Sequence, residues 1–136
     1  MIRILTFGVF DYFHIGHLRL FKQCKQHADY LIVAVQQEES VLKYKPDCKL
    51  LYSTEERVEL LSEVKLIDEV CVYDTICEDT LAKIDFDILA LGEDHHGKRF
   101  DDAIAWCDSH GKRVVRLKRT EGISSSAIKE RISNDI

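Results

Sequence analysis

The chain has 136 residues, 46% of them apolar, and a formal net charge of −5. That length builds one compact core and is short for two ordinary domains, so a single domain over 1–136 is expected. The acidic balance argues against a general binder of nucleic acid or of an anionic membrane, since both attract clustered positive charge.

No apolar stretch approaches the roughly 20 residues that span a bilayer, and the opening "MIRILTFGVF" has the layout of a strand rather than a secretory leader. A cytoplasmic setting is the expectation. The five cysteines, Cys24, Cys48, Cys71, Cys77 and Cys107, form an odd set with no C-x-x-C pair. They read as reduced thiols, and no structural metal site is expected.

In chain order, "IRILTFG" is the first predicted strand and 15–27 the first helix. "YLIVAV" is the second strand, and "QQEESVLKYKPDCKLLY" after it, with the single Pro46 and three lysines, reads as a mobile basic loop. In "STEERVELL", Ser53 sits three residues before Glu56, which signals a capping box opening a helix over 53–64. The strand "DEVCVY", a helix over 78–84, the strand "DILALG", a helix over 100–110, the strand "KRVVRL" and a helix over 124–133 complete the pattern. Ser124 or one of its two neighbours caps the last helix. Strands alternating with helices predict a five-stranded parallel sheet covered on both faces, because each parallel connection needs a crossover.

Chemistry concentrates at two strand ends. "GVFDYFHIGH" carries His14 and His17 three residues apart, on one face of the first turn of a helix, beside Gly16, which allows close approach of a ligand to the backbone. The stretch has neither a dinucleotide fingerprint nor a Walker A loop. A helix N-terminus with imidazole N–H groups is an anion site, and near that positive end the imidazoles are expected to lean towards neutral. "RTEGISSS", Arg119 to Ser126, sets a guanidinium, a glycine and three hydroxyls at a second helix start, a second phosphate cradle. Asp11 either caps the turn that follows it or faces a nucleotide.

The pair "GVFDYFHIGH" and "RTEGISSS" resembles the signature motifs of the cytidylyltransferases, the nearest likeness being to small single-domain enzymes that act on glycerol 3-phosphate. It extends over essentially the whole chain, including "STEER" and "LGEDHHGK". The resemblance implies a Rossmann-like three-layer α/β/α fold and transfer of CMP from CTP to a small alcohol phosphate. The products would be a CDP-alcohol and pyrophosphate, with Mg2+ riding on the CTP phosphates. It implies His14 and His17 on the α-phosphate, and Gly8, Val9, Phe10, Asp11 and Gly16 around the nucleotide. It also implies Arg119, Thr120, Gly122, Ile123 and Ser124 on the triphosphate, and Asp94 near the nucleotide, with His95 where relatives carry tryptophan. Lys45 and Arg57, and Lys43 less securely, match basic residues that meet phosphates; which loop lysine is equivalent is left open by the loop length. A homodimer is implied as well. The alternatives are an adenylyltransferase of the same H-x-G-H superfamily and a nucleotide-binding module without turnover.

Overall fold

The computed structural model describes residues 1–93, 95–119 and 125–135. The elements run β1 (Arg3–Gly8), α1 (Ile15–His27), β2 (Tyr30–Gln36), α2 (Glu38–Tyr44), α3 (Thr54–Ser62), β3 (Glu69–Tyr73), α4 (Glu78–Ala82), β4 (Ile88–Gly92), α5 (Lys98–Ser109), β5 (Arg113–Leu117) and α6 (Ser125–Asp135). All strand pairs are parallel, in the order β3-β2-β1-β4-β5. This is the Rossmann-like α/β arrangement, and the order reverses between β1 and β4.

The central strands β1, β2 and β4 are buried on both faces, as a covered parallel sheet requires, and the edge strands β3 and β5 are only partly buried. Side chains alternate between two cores: Leu5, Phe7, Ile32, Ala34, Leu89 and Leu91 join Phe86, Phe100 and Cys107 in one. Ile4, Leu31, Val33, Val35, Ile88 and Ala90 join Phe21, Cys24 and Leu61 in the other. Helices α4 and α5 thus cover one face, and α1 and α3 the other.

The expected capping box at α3 is present: Glu56 N donates to Ser53 Oγ and Ser53 N to Glu56 Oε1, at 3.1 and 3.0 Å. The predicted basic loop is in part a helix. α2 occupies 38–44, with Glu38 and Glu39 in its first turn where the helix dipole favours them. Val41 is its one buried residue, and Glu38 N donates to Thr54 Oγ1. A seven-residue helix with a single apolar anchor has no periodic stripe to betray it.

Candidate active site

Ligand crevices in open α/β sheets lie beyond the strand carboxyl ends where the strand order reverses. Here β1 ends at Gly8 and β4 at Gly92, and both glycines line a cleft of about 370 Å³. After Gly8 the chain turns sharply, with Phe10 and Tyr12 both in the left-handed region (φ 56° and 51°). Side chains there are held only by surrounding structure. The Phe10 ring folds back over Gly8, so a Cβ on residue 8 would lie 2.7 Å from two ring carbons. Gly8 is therefore a packing requirement of the turn as well as a cleft residue.

The turn delivers two histidines to the start of α1. His14 is the N-cap residue, and its Nδ1 accepts from Gly16 N at 3.0 Å. His17 closes the reciprocal bond, its Nδ1 accepting from His14 N at 3.2 Å. Both Nδ1 atoms are acceptors, which assigns the proton of each neutral ring to Nε2. The rings stack 3.8 Å apart, and His17 is flanked edge-on by Phe10 at 5.3 Å and face-on by Phe13 at 5.7 Å.

Burial, reinforced by the neighbouring His14, pushes the His17 pKa down to about 3; burial and then Arg119 lower that of His14. Between the unfolded value near 6.5 and about 3, the unfolded chain binds a proton that folded His17 refuses. Its contribution to stability is thus full above pH 6.5 and is lost as the pH falls through that window. In 15N-detected NMR, His17 should remain an Nε2–H tautomer without titrating from pH 8 to 5; a midpoint near 6.5 would contradict this environment.

The other lining groups come from the ends of the remaining elements. Lys45 follows α2, His95 follows β4, Arg119 follows β5 and Lys129 lies on α6. Arg119 N donates to Glu93 Oε1 at 3.2 Å. Lys129 Nζ donates to Lys49 O at 3.0 Å and lies 5.1 Å from the Tyr12 ring centre. Asp11 is buried, and its two oxygens accept from Leu51 N and Tyr52 N at 2.8 and 3.2 Å, so it moors the segment after Lys45 to the turn. This adds a turn-holding role to its place in the cleft.

Of the expected site residues, Gly8, Val9, Phe10, Asp11, His14, Gly16, His17, Lys45 and Arg119 line one cleft. Lys43 is exposed on α2 and is not among the cleft residues, so the position of Lys45 distinguishes the two loop lysines. Arg57 departs from the expected phosphate contact. It is 0% exposed beneath the site, where Nη1 donates to Val9 O and Gln36 O, both at 2.8 Å, and Nη2 to Thr54 Oγ1 at 3.4 Å. It holds the ends of β1 and β2 rather than reaching the cleft. Asp94, Thr120, Gly122, Ile123 and Ser124 lie outside the described residues.

His95, Lys118 and Lys129 are among the cleft residues with no role assigned from sequence. His95 follows "LGED" at a strand end, the position that carries ligands in this architecture. Lys129 lies three residues after Ser126, so both fall on one face of α6, and both line the cleft. Among the described residues, no group of three or more His, Cys, Asp or Glu is placed to hold a metal ion.

Residues 5–131 match the family described as cytidylyltransferase-like. The chain is 36% identical over 135 residues to a glycerol-3-phosphate cytidylyltransferase of Bacillus subtilis, with 98% of each chain covered. It is 38% identical over 95 residues to an FAD synthase of Thermococcus kodakarensis, covering 68% of this chain and 63% of that one. The crystal structure of a lipopolysaccharide core biosynthesis protein from Thermoplasma volcanium is similar with a TM-score of 0.71 at 25% identity, over 88% of this chain and 97% of that one.

Proposed function

The chain belongs to the cytidylyltransferase-like family of nucleotidyltransferases, and from that premise we propose that it transfers CMP from CTP to glycerol 3-phosphate or a closely similar polyol phosphate. An oxygen of the acceptor phosphate attacks the α-phosphorus of CTP, the bond from that phosphorus to the β-phosphate oxygen breaks, and pyrophosphate leaves with the electron pair. The acceptor is already ionised at neutral pH and needs no general base. The protein's work is to align the two phosphates and stabilise charge on the transferring group.

The observation that carries this reading is the His14–His17 pair at the N-terminus of α1. Each ring is locked through Nδ1, so that it offers Nε2–H as a donor inside a cleft also lined by Lys45, Arg119 and Lys129. Fixed neutral donors of this kind stabilise developing oxyanion charge without reorganising. Mg2+ fits as part of the substrate, Mg–CTP: the Asp11 oxygens are engaged with Leu51 and Tyr52 N–H groups, and the cations suit a triphosphate.

The basic cleft disfavours a quaternary ammonium, and the sole tryptophan, Trp106, is packed on α5 away from it, where it stacks on His110 at 4.0 Å. An aromatic cage for trimethylammonium is worth about 0.5–2 kcal/mol, and Tyr12 and Phe13 give at most part of one. The test compares kcat/KM for glycerol 3-phosphate, phosphocholine, phosphoethanolamine and a pentitol phosphate at saturating CTP. Glycerol 3-phosphate should lead; a preference for phosphocholine would overturn the acceptor assignment and leave cytidylyl transfer standing. The reading extends to a homodimer, and a light-scattering mass near the 15.8 kDa of one chain would contradict it.

A further inference from the structure

The cleft holds a third histidine built like the first two. His95 Nδ1 accepts from Gly92 N at 3.1 Å, which places the proton of the neutral ring on Nε2, the tautomer of His14 and His17. Its backbone is fixed as well: His95 N donates to Gly92 O at 3.1 Å, and Arg116 Nη1 donates to both Gly92 O and His95 O. The ring lies parallel to Phe100, 4.8 Å between centres with 3° between planes. A side chain at a cleft wall with its backbone, one ring nitrogen and one face all constrained has little freedom left to lose on binding.

The strand order says what this ring meets. Along the carboxyl edge the ends of β1, β4 and β5 follow one another, bringing His14 and His17, then His95, then Arg119. Neighbouring strands are about 4.8 Å apart. A triphosphate with its α-phosphate at the histidine pair and its terminal phosphates towards Arg119 therefore passes the end of β4.

We propose that His95 is a third N–H donor to the triphosphate, binding the pyrophosphate portion that departs. This rests on the cytidylyl-transfer reading. No proton moves: as the bond between the α-phosphorus and the bridging oxygen breaks, charge accumulates on the pyrophosphate, and the Nε2–H hydrogen bond strengthens with it.

Two substitutions separate this role from a structural one. Asparagine keeps an acceptor near the position of Nδ1 for Gly92 N and lacks the distal donor; glutamine offers a distal N–H near the position of Nε2. Binding of pyrophosphate and of CMP is measured calorimetrically for the wild type, His95→Asn and His95→Gln, with kcat for Mg–CTP alongside. His95→Asn should weaken pyrophosphate at least about fivefold and lower kcat about tenfold, with CMP affinity within about twofold; His95→Gln should stay within about threefold of wild type throughout. The opposite order, with asparagine normal and glutamine impaired, makes His95 only a support for Gly92 and overturns the proposal. Loss of CMP affinity with pyrophosphate binding intact overturns it too. If the wild type turns over no CTP, the cytidylyl reading fails on that ground, and the pyrophosphate measurements still decide the role of His95.

Discussion

Replacing His17 by alanine should lower kcat by at least about a hundredfold while changing KM for CTP by less than about threefold. A hundredfold corresponds to about 2.7 kcal/mol of transition-state stabilisation, the scale of one preorganised donor at a reacting centre. The split between kcat and KM follows from the state of the ring. Desolvation keeps His17 neutral down to about pH 3, so it adds no net positive charge to attract the CTP anion in the ground state. In the proposed reaction its Nε2–H should gain strength only as charge develops on the transferring phosphate. The same substitution removes the acceptor for His14 N and should cost about 1 kcal/mol of stability by urea unfolding, in line with loss of a helix cap. A variant with near-normal kcat would remove His17 from the catalytic assignment.

Arg57→Leu should be the most destabilising change at the site, by about 2–4 kcal/mol, although the residue never reaches the cleft. Two carbonyls, the part-buried Val9 O and the buried Gln36 O, lose a charged donor, each bond being worth about 1.5–3 kcal/mol. Part of that loss is offset because burying the guanidinium is itself costly: its Nε has no hydrogen-bond partner among the described residues, and burial pulls its pKa below the usual value against the opposing pull of Asp11. Val9 precedes the left-handed Phe10, so the turn that carries His14 and His17 should loosen and kcat should fall more than about tenfold. Denaturant unfolding together with steady-state kinetics checks both. Unchanged stability with a raised KM for CTP would instead place Arg57 on a phosphate, the role the sequence resemblance implied.

The contrast between these two residues shows what the sequence made legible. His14 and His17 are three residues apart on a predicted strand-to-helix junction, so their shared face and cleft position follow from local geometry alone. Arg57 also looked like a site cation, because a sequence displays charge and not burial; only the fold reveals two carbonyl ends converging on it. The five strands and their parallel pairing were readable because each is a short apolar run between helical segments. Helix α2 was hidden because Val41 is its only buried anchor. The choice between Lys43 and Lys45 depended on loop length, and the path of the chain after α2 places Lys45 alone of the two in the cleft. His95 and Lys129 belong to the cleft through strand order and helix packing, which bring residues some 80 and 110 positions away from the histidine pair beside it; no local spacing announces that.

Cytidylyl transfer itself is tested most directly by pyrophosphate release from each of the four nucleoside triphosphates, with Mg2+, in the presence and absence of glycerol 3-phosphate. Release should occur with CTP and require the alcohol phosphate, with a CDP-alcohol formed in equal amount. Release with ATP in place of CTP would make the enzyme an adenylyltransferase, and tight CTP binding without release would make it a nucleotide-binding module; either result contradicts the account.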